Sequence, residues 1–255
     1  MKLIDTHCHL YLEEFKHDLP EVMQNARLAH VEKFYLPAID SSVIEAMLQL
    51  EENYPGTCIL MMGLHPCSVK ANYKDELAIV EGWLAKRNFA AIGEIGLDFY
   101  WDTTFEQEQY TAFVQQMEWA LQYNLPIVIH TRNAMQQTID TVKPFAARGL
   151  KGIFHCFGDS LTFAQQVVDM GFLLGIGGVL TYKKAGLPAM LQDIGLEHIV
   201  LETDAPYLAP VPFRGKRNQS SYLIHIAQAL ALAKNVSVEE VAAVTTANAE
   251  KLFCQ

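Results

Sequence analysis

The sequence predicts a single (β/α)8 TIM barrel carrying an extra helix at its C-terminal end. Three observations predict it. Short β-branched runs alternate with longer amphipathic segments; the alternation recurs eight times; and 255 residues is an ordinary length for one such barrel. Two smaller domains would also fit that length, and an open doubly wound sheet is the competing architecture, though it usually holds about five to seven strands.

In order, the strand-like runs cover residues 2–9, 31–39, 57–65, 90–98, 126–131, 151–156, 171–176 and 199–204. Helix candidates lie between them, near 18–30, 41–53, 74–87, 105–123, 133–147, 160–170, 186–194 and 219–234. Thr103-Thr104 leads into an acidic first turn and Asp159-Ser160 into an apolar one, so both pairs read as helix starts. Gly149, Gly171 and Gly195 stand where helices should stop. A last helix over 237–252 opens with Ser237 and Glu240 spaced as a capping box. Low-complexity stretches, charge blocks and Gly- or Pro-rich linkers are missing, so residues 1–255 read as one domain.

Composition narrows the class. Apolar residues make up 51% of the chain and charged residues 19%, as in a globular protein with a large core. No apolar run approaches the ~18–20 residues of a transmembrane helix, and Asp5 and His7 interrupt what would be a signal peptide's apolar region. Five cysteines, an odd number without CxxC spacing, read as free thiols in a reducing compartment. A cytoplasmic location is therefore expected, with no membrane association and no obligate protein partner. The net charge of −10 argues against a broad basic surface that coats nucleic acid. It leaves room for a phosphodiester substrate, because bound cations bring their own positive charge.

Placing the metal-competent residues on this frame brings them to one end of the barrel. His7 and His9 end the first strand, Glu94 lies near the end of the fourth, His130 and His155 end the fifth and sixth, and Asp204 ends the eighth. Enzymes of this fold keep their active sites at that face. His7 and His9, two apart on a strand, point the same way. Four imidazoles and two carboxylates exceed one tetrahedral site, and can furnish two cations about 3.5–4 Å apart that share a carboxylate. Taken singly, a histidine ending a strand is more often a hydrogen-bonded structural residue. Three strands independently ending in histidine weaken that reading. His17, His30, His198 and His225 fall in helices or at strand entrances and read as structural or surface residues.

Other residues at this face keep two readings each. His65, in Gly63-Leu64-His65-Pro66, either orients a substrate oxyanion or bonds a loop carbonyl. Arg214, Lys216 and Arg217 crowd around Gly215 after the eighth strand, as a phosphate clamp or as a solvated basic turn. Tyr100 and Trp101 follow Asp98 and either stack on a base or belong to a lid or the core.

Together His7-Cys8-His9, Gly63-Leu64-His65-Pro66, Gly93-Glu94-Ile95-Gly96-Leu97-Asp98, His130-Thr131-Arg132, His155-Cys156-Phe157, Glu202-Thr203-Asp204 and Arg214-Gly215-Lys216 resemble the TatD family of metal-dependent deoxyribonucleases, in the amidohydrolase superfamily. The resemblance spans essentially the whole chain, in order. It implies one divalent cation held by His7, His9, Glu94 and Asp204 and a second by Glu94, His130 and His155. It also implies hydrolysis of DNA phosphodiesters, reported in some members as 3′-to-5′ exonuclease action. Asn133 stands where the family often has Asp, and Gln219-Ser220 where it often has Glu-Pro. Neither departure involves an expected ligand.

The mechanism expected from these residues has two cations activating a water. Mg²⁺ or Mn²⁺ is expected in activity, and Zn²⁺ is compatible with the imidazole-rich set. Asp204 would orient the nucleophile or take its proton, and Glu202 would fix a ligand's orientation. His65 and Arg214 would grip the phosphate, with Arg132, Lys216 and Arg217 as further phosphate contacts. One alternative keeps the barrel and changes the substrate to a small ester, lactone, amide or phosphotriester. Relatives of that kind often bridge their metals with a carboxylated lysine, whereas Glu94 fills the place here and no lysine lies between Lys86 and Lys143. A non-catalytic metal-binding scaffold is the alternative from another class.

Overall fold

Strands that are each followed by a helix must run parallel, since the helix carries the chain back to the starting end. In a computed structural model, which describes residues 1–183 and 185–253, every strand pairing is parallel. The strands are β1 (Leu3–Asp5), β2 (Val31–Leu36), β3 (Cys58–Leu60), β4 (Ile92–Asp98), β5 (Ile127–Arg132), β6 (Gly152–Phe154), β7 (Leu173–Ile176) and β8 (Ile199–Leu201). The helices are α1 (Leu19–Leu28), α2 (Ile44–Asn53), α3 (Tyr73–Lys86), α4 (Glu106–Gln122), α5 (Met135–Ala146), α6 (Leu161–Asp169), α7 (Leu187–Leu191), α8 (Leu223–Lys234) and α9 (Val238–Phe253).

Two hydrogen-bonded arcs, β1–β3 and β4–β8, close into a ring across two seams. At one seam Met62 bridges to Ile92 and the Ala90 N–H donates to the Leu60 carbonyl at 3.0 Å. At the other, Cys8 bridges to Ala205, Thr6 N–H donates to Leu201 at 3.1 Å, His9 N–H to Ala205 at 2.7 Å and Asp204 N–H to His7 at 2.9 Å. The second seam therefore fixes His7, His9 and Asp204 against one another through the main chain. The result is the (β/α)8 barrel with an added terminal helix.

Side-chain alternation divides the lumen into layers. Ile4, Tyr35, Met61, Ala91, Val128, Ile153 and Val200 form a buried apolar layer with Leu173 against it. Helix α9 adds Ala249 and Leu252, and the Phe253 ring stacks on Tyr35 at 4.0 Å, so the N-terminal end of the lumen is plugged. Two residues further along each strand direction come His130 after Val128, His155 after Ile153 and Glu202 after Val200. The polar site is thus the next layer above an apolar floor.

Several expected boundaries move. β1 stops at Asp5, β3 at Leu60, β6 at Phe154 and β8 at Leu201, so His7, His9, His65, His155 and Asp204 stand just beyond strand ends. Cys156 and Asp204 have φ of 48° and 55°, which a strand cannot continue through. Ser160 caps α6 by accepting the Phe163 N–H, as expected. Thr103-Thr104 does not cap α4, which starts after Phe105 with no side-chain cap. Ser237 Oγ accepts the Glu240 N–H at 3.1 Å. Gly149 and Gly171 end helices with positive φ, but Gly195 is extended and α7 has already ended at Leu191. His30, Asn124 and Asn235 supply left-handed turns after α1, α4 and α8, a conformation Asn tolerates better than most residues.

Cys8, Cys58, Cys67 and Cys156 are free thiols; Cys254 lies outside the described residues. Among the described residues no helix is long and apolar enough to cross a membrane. Because Leu252 fills the floor of the lumen, Leu252→Ala should lower unfolding stability by about 2–4 kcal/mol. Urea denaturation followed by far-UV circular dichroism reads the change, and a loss under about 0.5 kcal/mol would show that α9 does not close the barrel.

Candidate metal centre

Glu94 is the hub of the site. It sits on β4 with its side chain 3% exposed, and its two oxygens face different groups of imidazoles. Oε2 lies 3.1 Å from His7 Nε2 and 3.8 Å from His9 Nε2. Oε1 lies 2.8 Å from His155 Nε2, 3.0 Å from His130 Nδ1 and 3.3 Å from His65 Nε2. Asp204 closes the first group, with Oδ1 3.5 Å from His9 Nε2 and 3.8 Å from His7 Nε2. Ligand atoms fall within 4.8 Å of one another in three sets: His7, His9 and Glu94; His7, His155 and Asp204; and His65, Glu94 and His130. All six expected ligand residues are brought together, although they are spread over nearly 200 positions of chain (about 7 to 204).

The far nitrogen of each ring determines what its near nitrogen can do. Tyr11 donates its hydroxyl to the Pro37 carbonyl, so its oxygen accepts from His9 Nδ1 at 2.7 Å and His9 Nε2 is left with a lone pair aimed at the cluster. His130 Nε2 donates to Asp98 Oδ2 at 2.8 Å, leaving Nδ1 for the Glu94 side. His155 Nδ1 lies 3.5 Å from Glu202 Oε1, which also accepts the Cys156 N–H. His7 Nδ1 is buried without a hydrogen-bond partner. His65 differs. Its Nδ1 accepts the Cys67 N–H at 3.0 Å, which puts the proton on Nε2, facing Glu94. Of the two readings of His65, the bond to a loop carbonyl is not made; a loop N–H bonds Nδ1 instead, and Nε2 faces the cluster as a donor rather than a ligand.

Two glycines make these approaches possible. Gly96 has φ +146° and pairs with His130 in register, so any side chain there would strike the His130 carbonyl. A Cβ on Gly175 would collide with the Glu202 carboxylate. Behind the seam, Asp5 is fully buried and accepts the Thr203 N–H at 2.9 Å and hydroxyl at 2.6 Å. Burial pushes its carboxyl up to about 7, against those hydrogen bonds. Asn218, also fully buried, donates to the Thr203 and Tyr207 carbonyls at 2.7 and 2.6 Å. Asp5 and Asn218 hold the loop that carries Asp204. Sequence reading missed both roles; a carboxylate inside the apolar run Leu3-Ile4 was the available signal.

The rim separates the expected phosphate contacts. Arg132 is exposed, with its guanidinium 3.8 Å from the Tyr100 ring centre and 5.1 Å from that of Trp101. Arg214 is exposed over Tyr182 at 4.2 Å, and Lys216 is exposed beside it. Arg217 does not join them. Its guanidinium is held by both Asp18 oxygens at 2.9 and 2.6 Å, by the Glu14 carbonyl and over the Phe15 ring, so it ties the loop to the start of α1.

The family described as TatD related DNase matches residues 4–254. This chain belongs to the TatD family. It is 36% identical over 252 residues to an uncharacterised metal-dependent hydrolase of Bacillus subtilis, YabD, covering 98% of each chain. It is 34% identical over 265 residues to human deoxyribonuclease TATDN3, covering 98% of this chain and 94% of that protein. The solved structure of YjjV, a TatD homologue from Escherichia coli, superposes with a TM-score of 0.93 at 28% identity, covering 99% and 98%. The protein is a metal-dependent hydrolase of this family.

Electrostatics in this TatD-family site favour positive charge near Glu94. Burial opposes ionisation of Glu94, yet the charges of His155, His65 and His7 and the hydrogen bond from His130 hold it well below the ordinary carboxylate range. Burial also opposes protonation of His155, but Glu94 and Glu202 hold it well above its ordinary 6.5; His130 is raised by Asp98 and Glu94 against the same penalty. His7, where burial and the charge of His155 prevail, is lowered. Stability owed to a raised histidine is complete below pH 6.5 and lost as pH rises through its folded value. Protein dialysed against chelator should therefore lose several degrees of melting temperature between about pH 6.5 and 9, and Glu94→Gln should flatten that slope. A melting temperature that holds or rises across the window in the chelated protein would contradict this account.

Proposed function

We propose that this protein hydrolyses phosphodiester bonds of DNA with two divalent cations held on either side of Glu94. One observation carries the reading: two oxygens of a single buried carboxylate face two separate clusters of nitrogen donors. His7, His9, Glu94 and Asp204 would hold one cation and Glu94, His130 and His155 the other. The fit rests on the donors themselves. The far nitrogens of His9 and His130 bond Tyr11 and Asp98, and that of His155 lies 3.5 Å from Glu202, so their near nitrogens already converge. Such cations supply Lewis acidity towards a phosphoryl oxygen and make water more acidic. Mixed imidazole and carboxylate donors suit Mn²⁺ or Zn²⁺, and Mg²⁺ is the oxygen-preferring candidate.

The protein's own groups divide the remaining work. Asp204 is the most open acid at the centre, 13% exposed against 3% for Glu94 and none for Glu202. It would take the proton of the attacking water as the water's oxygen joins phosphorus, while the bond from phosphorus to the leaving sugar oxygen breaks and that oxygen takes a proton from solvent. Its own pKa, raised by burial but pulled below ordinary by the imidazoles of His9, His155 and His7, keeps it ionised for that step. His65 Nε2–H is placed to donate to a non-bridging phosphate oxygen. Arg214, Lys216 and Arg132 offer exposed cations at the rim for flanking phosphates, while Glu202 and Asp98 would fix ring orientations. A DNA substrate is supported by the family's description and by the name of the human relative. The free thiols support a reducing, cytoplasmic setting.

End-labelled single-stranded DNA, incubated with Mg²⁺, Mn²⁺ or Zn²⁺ and resolved on a gel, tests this reading. Glu94→Ala should cut cleavage by at least about a hundredfold. Arg214→Ala should raise KM by about tenfold. Arg217→Ala, remote from the substrate on this reading, should alter kcat/KM by less than about threefold and cost up to about 1 kcal/mol of stability. Near-normal cleavage by Glu94→Ala would end the proposal.

A further inference from the structure

Where β4 ends, the chain turns outward and presents two aromatic rings that the core does not use. Tyr100 is 51% and Trp101 68% exposed, and their rings meet edge to face at 4.9 Å. Phe99, one residue earlier, packs inward against the core and lies 5.9 Å from Tyr110. Exposing two large rings side by side is costly in water, and they stay largely exposed although the Arg132 guanidinium lies against Tyr100.

The loop beneath the rings is nonetheless firmly tied. Asp98 Oδ1 accepts the Tyr100 N–H at 2.9 Å and the Trp101 N–H at 3.0 Å. Buried Gln109 accepts the Asp98 N–H at 2.8 Å and donates to the Asp98 carbonyl at 3.1 Å. Asp102 accepts the Thr104 N–H and pairs with Lys70 at 2.6 Å. Arg132, opposite Asp98 in the β4–β5 register, lays its guanidinium on the Tyr100 face. The rings are therefore held in place before any ligand arrives, which lowers the ordering cost of binding.

We propose that Tyr100 and Trp101, with Arg132 against them, form a subsite that stacks an unpaired nucleobase beside the phosphate being cut; this rests on the nuclease reading above. The chemistry matches on both counts. Every base offers a π-face to an aromatic ring whatever its sequence, and a guanidinium can bind phosphate while lying on an aromatic face. Position matches as well. Asp98 holds the two ring-bearing residues with Oδ1 and His130 with Oδ2, so one carboxylate sets the distance between the stacking rings and the candidate metal centre. A base stacked there belongs to a strand end or single strand, because a paired base has no free face.

The test measures binding and cleavage of a fluorescein-labelled single-stranded oligonucleotide by the Mn²⁺-loaded enzyme, with the residue flanking the cut either a normal nucleotide or abasic. Wild type should bind the normal oligonucleotide about tenfold more tightly than the abasic one. Trp101→Ala and Tyr100→Ala should bring that ratio close to one, and Trp101→Phe should keep most of it. Both positions are exposed, so the variants should melt as wild type does. An unchanged ratio in both alanine variants, or no preference in wild type, overturns the subsite. Discrimination in binding without cleavage by wild type upholds the subsite and removes the nuclease reading; cleavage without discrimination does the reverse.

Discussion

The Glu94 carboxylate, buried where five imidazoles meet, is the constraint from which the rest of the mouth follows. An ionised carboxylate out of water is costly unless positive charge and hydrogen bonds surround it. Here the compensation comes from five rings on four segments, and a contact on the far side of four of them sets how they face Glu94. Tyr11 turns His9, Asp98 turns His130, Glu202 faces His155 and the Cys67 N–H turns His65. The barrel is suited to this because its strands end at one level above an apolar floor. Asp5, Thr203 and Asn218 then brace the seam where β8 meets β1, the one place where two ligand-bearing segments far apart in sequence must be aligned by the main chain.

Much of this was legible in the sequence because the periodicities are local. The alternation of β-branched runs with amphipathic segments gave the barrel, and histidines at strand ends gave the cluster. What escaped depends on contacts that no spacing records. Strand ends were set too late at His9, His65, Cys156 and Asp204; at Cys156 and Asp204 it is a left-handed non-glycine residue that ends the pairing, which nothing in the spacing marks. Arg217 looked like a partner of Arg214, yet Asp18, about 200 residues away, holds it. His65 could be placed at the mouth, but its tautomer follows from the N–H of Cys67. Asp5 reads as an interruption of an apolar run until Thr203 is seen beside it.

On the proposed reading, an acidic protein receives a polyanion at a mouth that carries exposed cations. The chain carries a net charge of −10, while Arg132 and Arg214 stand over aromatic rings at the mouth. Arg132 lies at the β5 end and Arg214 after β8, so two exposed cations flank a centre that itself calls for positive charge. The net negative charge disfavours non-specific adhesion along a duplex. That division suits an enzyme acting at single positions on a strand better than one that coats it.

The central claim is that Glu94 shares its two oxygens between two cations. Anomalous diffraction from crystals grown with Mn²⁺ measures this directly. Two peaks are predicted, one bounded by His7, His9, Glu94 and Asp204 and the other by Glu94, His130 and His155, about 3.5–4 Å apart. A single peak with Glu94 on one side only, or no peak at the mouth, would contradict it.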